Sequence, residues 1–97
     1  MPKVTILLIG TLRSLLSRDS IEVEIIREVS FREVWELAAK QIGQDLKPYI
    51  TDPKTGEILP WVAIFVDGEN LRHLQGWETP LPGGNKVVIL RGDMAGG

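Results

Sequence analysis

The chain has 97 residues, 43% of them hydrophobic and 25% charged, with a formal net charge of −2. That length suits one domain with one core, and the slight acidity lacks the basic stripe of a nucleic-acid binder. The absence of cysteine removes disulfides, thiolate-ligated zinc and a thiol nucleophile together, and suits a reducing compartment.

Lys3 to Ile9 is almost continuously apolar, as in a strand buried on both faces. A lysine before an apolar run is also how a signal peptide begins, but this run is short and no small-residue cleavage site precedes Arg13. No stretch reaches the ~18 apolar residues of a membrane span. We therefore expect a cytoplasmic protein with no membrane partner. Gly10 and Thr11 end the run, and Leu12 to Ser20 has room for a helical turn. Ile21, Val23 and Ile25 then alternate with Glu22 and Glu24. That period predicts a half-exposed strand within residues 21–29, at or near a sheet edge. Ile26 breaks the alternation and leaves the strand's end undefined.

Ser30-Phe31-Arg32-Glu33 is a capping box, so a helix should follow. Phe31, Val34, Trp35, Ala38 and Ile42 form one helical stripe, and Gly43 is placed as a left-handed stop. A single apolar stripe suits packing on one face of a sheet. Residues 44–60 are the least regular. Leu46, Tyr49 and Ile50 suit a short turn over the end of the core, and Thr51 to Gly56 has the chemistry of an exposed, mobile loop. Val62 to Val66 reads as another buried strand and Asp67-Gly68 as a tight turn. Leu71 to Leu74 suits a short strand, Pro82 to Asn85 a turn, and Lys86 to Leu90 a final strand.

This order predicts an α+β fold of the β-grasp type over residues 1–97. A mixed sheet of four to five strands carries one main helix on one face, and a flexible tail spans residues 92–97. The first and last strands, both continuously apolar, should lie side by side and parallel in the middle.

Conventional catalytic material is sparse. His73 is the only histidine and has no neighbouring ligand motif, so we expect no metal. The acidic residues of the loops are scattered. Gly83-Gly84-Asn85-Lys86 lacks the spacing and the hydroxyl residue of a phosphate-binding loop. Of the three tryptophans, Trp35 sits on the helix's core stripe, while Trp61 and Trp77 flank strands and could serve core or partner. In the first strand Leu7 and Ile9 share a side, and in the last Val88 and Leu90 do. With one helix available, that side is either an open apolar face, which often marks a protein–protein site, or a face that residues 44–60 cover. The sequence leaves both open. Beyond the last strand the chain closes on Ala95-Gly96-Gly97. Glycines at that position add nothing to packing, but suit a tail that threads a narrow channel and presents the carboxylate of Gly97.

Val66-Asp67-Gly68-Glu69-Asn70, Leu74-Gln75-Gly76-Trp77-Glu78-Thr79-Pro80-Leu81, Gly84-Asn85-Lys86-Val87-Val88-Ile89-Leu90 and the final Ala95-Gly96-Gly97 resemble the ubiquitin-like sulfur carriers. These include the molybdopterin synthase small subunit, the thiamine and cysteine-biosynthesis carriers and the ubiquitin-related modifiers. The resemblance implies a ubiquitin-like fold and a carrier rather than an enzyme, with no bound cofactor. An E1-like adenylating enzyme would use ATP to activate the carboxylate of Gly97. Sulfur would then displace AMP and leave a thiocarboxylate, passed to an acceptor such as a molybdopterin synthase large subunit; molybdenum cofactor biosynthesis is the favoured pathway. The alternatives are conjugation to target-protein lysines through Gly97, or a β-grasp interaction module without that chemistry. Leu90, Ile9 and Leu74 match the family's docking residues by position, and Val88 and Leu7 extend the patch. Three departures stand out: Arg91 occupies a position usually held by proline, the segment Arg91-Gly92-Asp93-Met94 is one residue longer than usual, and Asn85 occupies a position usually held by aspartate.

Overall fold

The computed structural model describes residues 2–92. Strand β1 (Lys3–Gly10) pairs antiparallel with β2 (Ser20–Glu24), and a short helix, α1 (Thr11–Leu16), lies between them. A two-residue strand, β3 (Val29–Ser30), leads into the main helix α2 (Phe31–Ile42), which α3 (Lys47–Ile50) follows. Then come β4 (Val62–Val66), β5 (Glu69–Asn70), β6 (Pro80–Leu81) and β7 (Lys86–Arg91). The main sheet has the order β2-β1-β7-β4-β5, and β3 and β6 form a separate ribbon. Strands β1 and β7 are parallel neighbours at the centre of the main sheet, with Ile6 opposite Val87 and Ile9 opposite Leu90. The predicted β-grasp arrangement is thus present.

Local chemistry explains why α2 starts and stops where it does. The Glu33 amide donates to the Ser30 hydroxyl, and the Ser30 amide donates to the Glu33 carboxylate. Two of the orphan N–H groups at the helix start are satisfied in this way. At the other end Gly43 adopts φ 83°, and its amide closes on the Ala39 carbonyl. The buried stripe of α2 is Phe31, Val34, Trp35 and Ala38. It packs on the inward side of the sheet, where Val4, Ile6, Leu8, Val62, Ile64, Val87 and Ile89 are all buried.

Two expectations need correction. The predicted strand over Leu71–Leu74 is a 3₁₀ turn (Leu71–His73), and the strand is the Glu69–Asn70 pair before it. The cause is local: the Arg72 amide donates to the Asn70 side-chain oxygen at 2.9 Å, which caps a turn instead of extending a ladder. The strand predicted within 21–29 ends at Glu24. Ile25 stays buried, Ile26 is 82% exposed, and Val29–Ser30 turns away to pair with Pro80–Leu81. Of the two alternatives for residues 44–60, the structure shows the second face of the sheet open, with Ile9 and Leu90 exposed. These residues close the end of the core beside α2, as expected for Leu46 and Ile50: Leu46, Ile50 and Leu59 are buried, and the Trp35 indole N–H donates to the Leu46 carbonyl at 3.1 Å. The loop over 51–60 is tied down by a bridge between Thr51 and Ile58 and by the Arg72 guanidinium, which donates to the Ile58 and Leu59 carbonyls.

Candidate docking face and tail root

Side chains alternate across a strand, so a sheet covered by one helix shows its other face to solvent. In β1 the buried residues are Val4, Ile6 and Leu8, which sends Leu7 and Ile9 outward. In β7 Val87 and Ile89 are buried, which sends Val88 and Leu90 outward. The register brings these together: Leu7 lies opposite Val88 and Ile9 opposite Leu90. On the other flank of β7, Phe65 lies opposite Val88 and Ala63 opposite Leu90. The result is a continuous apolar patch across three strands. Ile9 and Leu90 are its most open members, at 45% and 40% exposure, while Leu7, Val88, Ala63 and Phe65 are half-buried. Polar residues border it: Ser20 lies opposite Leu7 and Glu22 opposite Thr5 on the β2 side, and Lys86 lies at the start of β7.

Four of the five predicted docking residues therefore sit together. Leu74 does not join them. It follows the 3₁₀ turn, packs against the core and lines a shallow depression with Val66, Asp67 and Pro80. Ala63 and Phe65 escaped sequence reasoning. Val62-Ala63-Ile64-Phe65-Val66 is apolar at every position, so the run carries no phase and only pairing with β7 reveals which side faces out. Trp61 stands half-exposed at the start of β4. Trp77 is an internal support: it stacks on Phe31 with ring centroids 5.5 Å apart, and the Arg32 guanidinium lies 5.3 Å over its ring.

The patch lies on the strand that leads to the C-terminal residues, and the end of that strand is held from three sides. The Thr11 hydroxyl donates to the Arg91 carbonyl at 3.0 Å. The Arg91 guanidinium donates to the Tyr49 carbonyl at 2.9 Å. The Gly92 amide donates to the Trp61 carbonyl at 3.2 Å, extending the β4–β7 ladder by one residue. Gly10 makes the first contact possible. It adopts φ 77°, and a Cβ there would land on the Arg91 carbonyl oxygen. Gly97, Gly96 and Ala95 lie outside the described residues.

At the opposite end of β7, Asp67 and Asn85 fasten the last turn. The Lys86 amide donates to Asp67 at 2.9 Å and the Asn85 side-chain amide donates to it at 2.8 Å. The Asn85 side-chain oxygen accepts from the Gly83 amide. Those donors, the Lys86 amide first, hold the Asp67 carboxyl below the usual aspartate value. An aspartate at position 85 would instead set two carboxylates against each other, which accounts for asparagine here. Among the described residues no cluster of three His, Asp or Glu side chains could hold a metal. A cleft of about 310 Å³ on the helix side is lined by Trp35, Trp77, Arg32, Lys47 and Asp52. No described helix is long and apolar enough to cross a membrane.

Two solved structures share this arrangement almost end to end. A chain of the Amycolatopsis orientalis BexX/CysO complex superposes with a TM-score of 0.75 at 17% identity, covering 94% of this chain and 97% of that one. Small archaeal modifier protein 1 from Methanosarcina acetivorans gives 0.71 at 24% identity, covering 95% and 94%. A protein of Archaeoglobus fulgidus, provisionally named a sulfur carrier protein, is 28% identical over 75 residues, or 77% of this chain and 82% of that one. The fold is the ubiquitin-like β-grasp, and the chain resembles the sulfur carriers that share it. No protein-family profile matches the chain.

Proposed function

We propose that this protein is a sulfur carrier that works through the α-carboxylate of Gly97. The observation that carries this reading is the placement of the open apolar patch on β7, the strand that leads directly to the Gly-Gly sequence. A carrier of this kind needs a surface for its activating enzyme and a thin tail to enter that enzyme's active site. It needs no catalytic side chain of its own, and the relatives are named as carriers and modifiers rather than catalysts. Five residues, as from Asp93 to Gly97, can span at most about 17 Å at ~3.4 Å per residue.

Carboxylates acylate poorly because oxide is a poor leaving group. The activating enzyme overcomes this by joining the Gly97 carboxylate to the α-phosphate of ATP, with release of pyrophosphate. A sulfur nucleophile then displaces AMP, and the resulting thiocarboxylate carries sulfur to an acceptor enzyme. Since ATP is consumed, the cytoplasm suits the reaction, and a molybdopterin synthase large subunit is the favoured acceptor. Displacement of AMP by a lysine amine instead of sulfur would make the same intermediate a protein modifier, a reading favoured by the likeness to small archaeal modifier protein 1.

The test is intact-mass measurement after incubation with ATP, a sulfur donor and the adenylating enzyme of the native host. Replacement of one terminal oxygen by sulfur supports the carrier, and lysine adducts ending in Gly96-Gly97 support the modifier. An unchanged terminus, with no AMP formed by any adenylating enzyme of that host, refutes both and leaves an interaction module.

A further inference from the structure

The residue at position 91 departs from the usual proline, and the structure gives that departure a use. Arg91 is the last residue of β7 and is half-buried. Its carbonyl accepts from the Thr11 hydroxyl, at the start of α1, and its guanidinium donates to the Tyr49 carbonyl in α3. Those partners lie 80 and 42 residues away in sequence. Beside them the Gly92 amide is held by the Trp61 carbonyl. Gly10 supplies the close approach that lets β1 turn into α1 against the Arg91 carbonyl. One residue thus joins the end of the central strand to α1 and α3, immediately before the tail. Proline could not do this, because it has no guanidinium and no N–H for the sheet.

We infer that Arg91 is a positioning residue that clamps the root of the C-terminal tail, with Thr11 and Tyr49 among its anchors. This rests on the reading that the carboxylate of Gly97 is the reacting group. The clamp fixes where the tail begins and in which direction it leaves the docking face. A docked domain with a fixed root delivers the carboxylate as a tethered reactant, whose effective concentration falls as its tether lengthens. Releasing Arg91 and Gly92 adds two residues to that tether, an effect of up to about twofold on length alone. Loss of the exit direction adds to it, because attack requires alignment as well as proximity. The expected loss is about two- to tenfold in kcat for adenylation. KM should stay within about twofold, because the docking patch is untouched.

The experiment uses full-length protein with Arg91→Ala, Arg91→Lys and Thr11→Val. Adenylation by the host's activating enzyme is measured as ATP–pyrophosphate exchange, and the mobility of Gly92 is measured by ¹⁵N relaxation. Arg91→Ala and Thr11→Val should each lower kcat without raising KM, and Arg91→Lys should recover part of the loss. The Gly92 order parameter should fall from the rigid range, about 0.85, toward values below about 0.6 in Arg91→Ala. Unchanged kcat in the folded variants, or a rise in KM alone, overturns the clamp while leaving the carrier reading intact. An unchanged Gly92 order parameter in both Arg91→Ala and Thr11→Val overturns it whatever the enzyme does. If wild-type protein is not adenylated at all, the carrier reading fails and the catalytic part of this inference fails with it. Thr11→Val is the milder change, and it decides the matter should Arg91→Ala unfold.

Discussion

Replacing Leu90 tests the docking face most directly, since this residue sits in the central strand at the middle of the patch. Fully burying a leucine side chain is worth about 1.5–3 kcal/mol. Leu90 keeps 40% of its surface exposed, so docking can recover roughly that share, about 0.6–1.2 kcal/mol. Leu90→Ala should therefore raise Kd for the adenylating enzyme about three- to eightfold. Leu90→Glu loses the same contact and also strands a carboxylate in a dry interface, at about 2 kcal/mol or more. Together these give roughly a hundredfold weaker binding. The folded domain itself should tolerate the change, because residue 90 faces water in the free protein. Titration calorimetry against the activating enzyme reads the affinity, and circular dichroism verifies the fold. Ile26→Glu is the control: Ile26 is 82% exposed but lies outside the sheet, so its affinity should stay at the wild-type value. A folded Leu90→Glu protein that binds within twofold of wild type would refute the assignment of this face.

Acid should act through two carboxylates. The Ser30 amide first, then Arg27, lowers Glu33, while the Lys86 amide first, then Asn85, lowers Asp67. A carboxyl with a depressed folded value contributes stability that is fully present above its unfolded value, near 4, and is lost as pH falls through the folded value. Melting temperature should thus hold level from pH 6 to about 5 and decline below about 4, with a shallower decline in Asp67→Asn. Asn85→Asp should cost about 1 kcal/mol at neutral pH by removing a donor to Asp67, and part of that loss should return in acid as one carboxyl takes up a proton. Gly10→Ala should cost more than about 1 kcal/mol, since the position is left-handed and backs onto the Arg91 carbonyl. In a domain this size the melting temperature should then drop by at least about 4 °C, and an unaltered melt would refute that packing.

Much of the architecture was legible because its determinants are local. The Ser30–Glu33 box and Gly43 mark both ends of α2 within a few residues of chain, and the structure reproduces each contact. The alternation of Ile21 and Val23 with Glu22 and Glu24 marks β2 as an edge strand. Where several readings compete locally, the sequence is less decisive. Leu71–Leu74 has strand-like composition, yet one side-chain acceptor at Asn70 converts it to a turn. Trp77 flanks a strand in sequence, but Phe31 and Arg32, more than forty residues earlier, decide its role.

The sequence alone determined the order of the main strands and of the capped helix, and the two central strands, because period, caps and composition need no knowledge of distant residues. Only the tertiary structure decided which face of the sheet is open. Leu7 shares a side with Ile9, and Val88 with Leu90, by alternation alone, but only the register joins the two pairs and adds Ala63 and Phe65 to them. The destination of residues 44–60 is likewise a tertiary outcome, set by where Leu46, Ile50 and Leu59 find the core. The same is true of the tail root, where Arg91 meets Thr11 and Tyr49 across intervals that no local pattern can encode.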